Sequence, residues 1–176
     1  GSGAQNTFPL YGTLNSGDVF KIVNDAADPM LVSQADTALG WPSVVHFTGD
    51  DAIMLVNGTD TIDVFGTPGV DPGSYWTMGS DSSQNITLVR KGTVQMGSTD
   101  WTVGATEWDS YPVNTYSNFG SHTSTCLGTS ASCSELFFSE YIEGSSNNKG
   151  FEIYNPSGST VNLSGYTVYL SGNGGS

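Results

Sequence analysis

Short alternating apolar runs, broken by turns bearing Gly, Pro and Ser, organise this chain from end to end. "GDVFKIV" alternates into a strand whose apolar face carries Val19 and Val23. "VVHF", "DAIMLVN" and "TIDVFG" read as three more strands, and "GTD" joins the last two as a hairpin turn. "TPGVDPGSYW" is a Gly/Pro-punctuated loop, after which "NITLVRKGTVQ" and "WTVG" resume the strand pattern. The aromatic-rich "TEWDSYPVNTYSNFGSHT" is an excursion between strands. Three further strands follow, over Leu136 to Ile142, Phe151 to Tyr154 and Tyr166 to Leu170. One compact helix is predicted in "DAADPMLVSQAD". Asp28 can cap it, Pro29 suits the first helical position, and Gly40, Trp41 and Pro42 end any extension. Residues 1–7 are Gly/Ser-led and expected to be flexible. The strand spacing predicts an all-β sandwich with at most one short helix.

Composition sharpens this picture. The 176 residues suit one domain with a real core. The 23 Gly and 7 Pro are spread along the chain, and charged residues make up only 12%, against about 25% in an average soluble protein. Many short strands and tight turns fit that balance. No apolar run reaches the length of about 18 residues that a membrane helix needs, so no membrane span is predicted. No signal peptide is seen either, and the expectation is a mature, trimmed or recombinant chain.

Charge is lopsided. Seventeen acids face four bases (Lys21, Arg90, Lys91 and Lys149), for a formal net of -13. Phosphate backbones need Lys and Arg to displace counterions, so nucleic acid is not an expected partner of this domain. Cations fit better, although the same acids also serve solubility. Glu140 and Glu143, three apart on a strand, point to opposite faces and cannot both ligate one ion. Glu143 with Asn147, Asn148 and Asp50 or Asp51 could supply the oxygen ligands that calcium prefers, so calcium is the cofactor candidate. The same residues also suit turns and caps.

Arg90 and Glu152 both sit inside strand patterns, where charge is unusual. A structural ion pair between them is expected, with Asp51 as an alternative partner for Arg90. Cys126 and Cys133 flank a short Gly/Ser/Thr loop in a polar segment; a disulfide made outside the cytoplasm is favoured over zinc, which would want four ligands. No catalytic residue is assigned: GxSxG, HExxH and P-loop motifs are all missing, and neither His46 nor His122 has an orienting acid legible from spacing. Trp41, Trp76, Trp101 and Trp108 raise a sugar-platform reading against the plainer one of core packing.

Several segments together resemble the lamin-tail domain, an immunoglobulin-like β-sandwich, in the version found in large secreted bacterial proteins. They are "SEYIEGSSNNKGFEIYNPSGSTVNLSGY", "GTLNSGDVFKIVN", "FTGDDAIMLV", "GVDPGSYW", "NITLVRK" and "EWDSYPVNTYSNFGSHT". The resemblance covers almost the whole chain outside the cysteine segment and the extreme ends. Its order is circularly permuted: the family's opening segment here follows its closing one, through "STCLGTSASC".

Residues 1–121 then hold the later strands of the sandwich and 122–134 a linker with the disulfide. Residues 135–176 hold the opening strands, either of the same sandwich or of a neighbouring unit. An engineered permutant and one repeat cut from an array both fit, and the reading favours closure between units. The resemblance and the permuted order imply a non-catalytic extracellular structural or interaction module. It would be a repeat or subunit of a filament or tandem array, partnered with copies of itself head to tail by strand complementation. The alternative is an accessory binding or spacer domain of a secreted bacterial multidomain protein, for example a nuclease, binding calcium or carbohydrate.

Overall fold

The computed structural model describes residues 5–126 and 133–173. The strands are β1 (Gln5–Pro9), β2 (Thr13–Leu14), β3 (Val19–Asn24), β4 (Thr37–Leu39), β5 (Ala52–Asn57), β6 (Asp60–Phe65) and β7 (Thr77–Met78). They continue with β8 (Asp81–Ser82), β9 (Ile86–Arg90), β10 (Trp108–Pro112), β11 (Phe137–Glu143), β12 (Lys149–Tyr154), β13 (Val161–Asn162) and β14 (Tyr166–Ser171). A four-stranded sheet, β1-β14-β5-β6, faces a six-stranded one, β10-β9-β11-β12-β3-β4. All pairings in these two sheets are antiparallel except β3 with β4. This is an all-β sandwich. Among the described residues two α-helices are present, α1 (Pro29–Gln34) and α2 (Trp101–Gly104), one more than the expected maximum, with a 3-10 turn at Leu163–Gly165.

Strand alternation fills the space between the sheets. Ile53, Leu55, Phe65, Val168 and Leu170 from one sheet join Phe20, Ile22, Leu88, Tyr141, Phe151 and Ile153 from the other in one buried cluster. Tyr141 stacks on Phe65 at 3.9 Å and on Phe47 at 4.9 Å. Each such side chain contributes about 1.5–3 kcal/mol by leaving water.

The outer face of the six-stranded sheet is also covered. Helix α1 contributes Leu31 and a strand-free strap, residues 113–123, contributes Phe119; both pack on Val23 and Ile142.

Two expected strands take other forms. "VVHF" makes no ladder: Val44, Val45 and Phe47 are buried within a turn in which the His46 N–H donates to the Ser43 carbonyl. "WTVG" is helix α2, because the Asp100 side chain accepts the Thr102 N–H and caps a helical start. Within the stretch expected to be flexible, residues 1–4 lie outside the described residues, and Gln5 to Thr7 begin β1, paired along β14.

The sandwich closes on strands of its own chain. β11 lies between β9 and β12, β12 between β11 and β3, and β14 between β1 and β5. Residues 135–173 thus supply three inner strands, each flanked on at least one side by a strand from residues 5–90. The favoured expectation had these partners coming from a neighbouring unit; here every one of them is available in the same chain.

Candidate functional site

The proposed calcium ligands do not converge. Glu143 and Lys149 face each other across the β11–β12 ladder, and the Lys149 ammonium donates to Glu143 and to the Gly144 carbonyl at 2.8 Å. Glu143 also accepts the Asn85 N–H. A cation is therefore already paired with this carboxylate, and it is the chain's own. Asn148 turns away, accepting the Asp28 N–H at 2.7 Å and donating to Asn114 at 3.2 Å. The carbonyl of Asn147 accepts the Lys149 N–H within the same turn. Asp50 accepts the Thr48 hydroxyl at 2.5 Å. Among the described residues no group of three or more His, Cys, Asp or Glu is arranged to hold a metal ion.

Arg90 is buried and paired, but with neither expected partner. Its guanidinium donates to Asp63 at 3.2 Å and to Glu107 at 2.6 Å, and lies 4.8 Å from the Trp108 ring centre. The reason is strand parity. Arg90 shares its face with Leu88 and points between the sheets, where Asp63 of β6 meets it. Glu152 lies between inward-facing Phe151 and Ile153 and so points outward. Asp51 is held elsewhere, accepting the N–H groups of Thr48 at 2.7 Å and Asn173 at 2.9 Å. Burial pushes the Asp63 carboxyl up, against the pull of Arg90 and of the Ser98 and Phe138 N–H groups.

Outward-facing Glu152 has a neighbour the sequence reading did not pair with it. In register across the six-stranded sheet, Asp109 opposes Val89, Val89 opposes Glu140, Glu140 opposes Glu152, and Glu152 opposes Lys21. Glu140 and Glu152 are each 1% exposed. Glu152 accepts from the Ser139 hydroxyl and the Gly120 N–H, both at 2.7 Å. Glu140 has no protein hydrogen-bond partner on either oxygen. Burial, then the nearby Glu152 charge, pushes its carboxyl up to about 9. The sequence carried a usable signal: two glutamates, each at an interior position of an adjacent strand pattern.

The remaining candidates fall into place around the core. Trp76, Trp101 and Trp108 are buried and only Trp41 is exposed, so the rings form no shared platform. His46 accepts from or donates to Ser43 at 2.9 Å within its turn. His122, in the strap, packs edge-on against Phe137 and Tyr154, and burial, then Arg90, lowers it to about 4. Cys126 and Cys133 form the expected disulfide, with Cα atoms 5.6 Å apart. No helix among the described residues is long and apolar enough to cross a membrane.

What fold and site define together is a class: an all-β sandwich with a disulfide-closed connection and a buried acidic pair. Compared with family models, curated proteins and solved structures, the chain finds no match.

Proposed function

We propose that this chain is a non-catalytic extracellular structural and interaction module of the lamin-tail type, whose copies assemble head to tail by exchanging strands. The observation that supports this most is the placement of residues 135–173. They provide β11, β12 and β14, inner strands of both sheets, yet connect to the rest of the chain only through the disulfide-bearing segment. Detached, they would be a small sheet with a bare apolar face and open edges, unstable in water. The same pairings made with a neighbour's strands would link copies without any new interface chemistry. A disulfide in a polar connection suits an oxidising, extracellular setting.

The test has two parts. Light scattering and electron microscopy of the purified protein should show species heavier than the 18.5 kDa chain, growing into fibres with concentration. A mass fixed at one chain at every concentration would overturn self-assembly. Expressing residues 1–134 alone should give an insoluble product that a 135–176 peptide rescues. A peptide that does not bind would count against strand complementation.

A further inference from the structure

We propose that the strap over residues 113–123 is a proton-linked cover. It closes on the outer face of β11 and β12 while one proton is held at the Glu140–Glu152 pair, and lifts when that proton is lost.

The geometry carries this. Register places the two carboxylates directly opposite on one face, where cross-strand side chains stand roughly 5 Å apart at their Cβ atoms. Two ionised carboxylates so placed repel each other, and both are buried, with Glu152 bonded directly to the strap at Gly120. Glu152 has donors that suit an ionised group: the Ser139 hydroxyl and, from the strap itself, the Gly120 N–H. Glu140 has none. An unpartnered buried carboxylate is far more costly than a buried carboxyl group, so the closed state favours a neutral Glu140.

Among the described residues no charged group offers Glu140 an alternative. Lys21 of β3 lies beyond Glu152 and is paired with Asp36 at 2.8 Å. Arg90 of β9 points to the opposite face and is paired with Asp63 and Glu107. Asp109 of β10, two strands away in the same row, adds only negative charge. The strap's own His122 is held neutral by its surroundings and has an unpartnered Nε2. Beside the strap a pocket of about 290 Å³, lined in part by Val89, Arg90, Asp109, Asn118, Ser121 and His122, reaches Val89, the cross-strand neighbour of Glu140.

The strap is the element able to respond. It has no strand or helix, and Phe119 is its one buried residue. Few buried contacts mean a low cost of local opening. The direction of the pH effect follows from linkage. Glu140 is pushed up in the closed state, so its contribution to closure is complete below the ordinary glutamate range and is lost as pH rises through about 9. His122 is pushed down, so its contribution is complete above the ordinary histidine range and is lost as pH falls through about 4. Glu152 is pushed up by burial as well, so it acts in the same direction as Glu140. His122 offsets part of that loss below the ordinary histidine range, and above that range closure weakens steadily as pH rises.

Hydrogen exchange read by mass spectrometry, corrected for the intrinsic pH dependence of amide exchange, tests this in the intact protein. Between pH 6 and pH 9.5 the protection of strap peptides should fall at least tenfold, with β5 and β14 peptides unchanged. In Glu140→Gln, whose amide cannot ionise, strap protection should stay level over that range. Equal loss in every peptide, no loss in the strap, or the same loss in Glu140→Gln would overturn the proposal. A carbon-13 titration of glutamate carboxyls in the unmutated protein makes the test independent of how the variant folds. One carboxyl should titrate above pH 7, and titration of every glutamate below pH 6 would overturn the proposal equally.

Discussion

Asp63 is the residue on which most charge chemistry of the interior converges. It takes two guanidinium nitrogens of Arg90 and the backbone N–H groups of Ser98, Phe138 and Val64. Removing it leaves Arg90 buried with only Glu107, itself partly exposed. Asp63→Ala is expected to cost about 3–5 kcal/mol, read as a lower urea midpoint at unchanged slope; a loss below about 1 kcal/mol would show that the interior re-pairs Arg90 another way. The unusual charges in the strands were legible from the sequence, at Arg90 and Glu152 alike. Their partners were not, because pairing depends on which face each strand presents. Glu152 and Arg90 belong to the same sheet and look in opposite directions. Asp63, on the facing sheet, stands in an ordinary-looking "TIDVFG" run.

At the scale of elements, alternation located β3, β5, β6, β9, β11, β12 and β14, and the Asp28–Pro29 signal located α1. Asp28 caps α1 by accepting the Met30 N–H at 2.8 Å, and its own N–H is held by Asn148. Asp28→Ala should lower thermal stability by about 1 kcal/mol, and the unchanged signal of a sugar- and cation-free melting curve would refute the capping role. Failures were of a different kind. Three of the four residues of "VVHF" are buried, and burial alone does not distinguish a turn from a strand. In "WTVG" the deciding residue was the preceding Asp100, a cap rather than part of the run. β1, β4 and β10 are edge strands or nearly so, with polar residues and few apolar positions, so alternation hardly marks them.

For the whole molecule, the disulfide closes a separation of seven residues, so its effect on global stability should be modest, about 2–3 kcal/mol at most. Titration of the denatured, unreduced protein is expected to find no free thiol; two per chain would exclude the bond. Cys126 stands three residues beyond the strap and Cys133 four residues before β11. The bond therefore fixes where the cover ends relative to the sheet it covers, and reduction should loosen that end first.

The pairing of β1 with β14 has a mechanical consequence. Gln5 and Ser171 are register partners, so the two described ends of the chain leave the same end of one antiparallel ladder. Tension applied between them would load the hydrogen bonds one pair at a time, peeling β1 away as a zipper opens, and then β14 from β5 in the same sense. Bonds loaded in series yield at low force, whereas strands pulled lengthwise past each other resist together. A fibre made of such units would resist stretching only if the pull entered through the exchanged strands and sheared them against their neighbours. Strand exchange between copies would thus change the direction of loading, from a peel to a shear, with the same residues in contact.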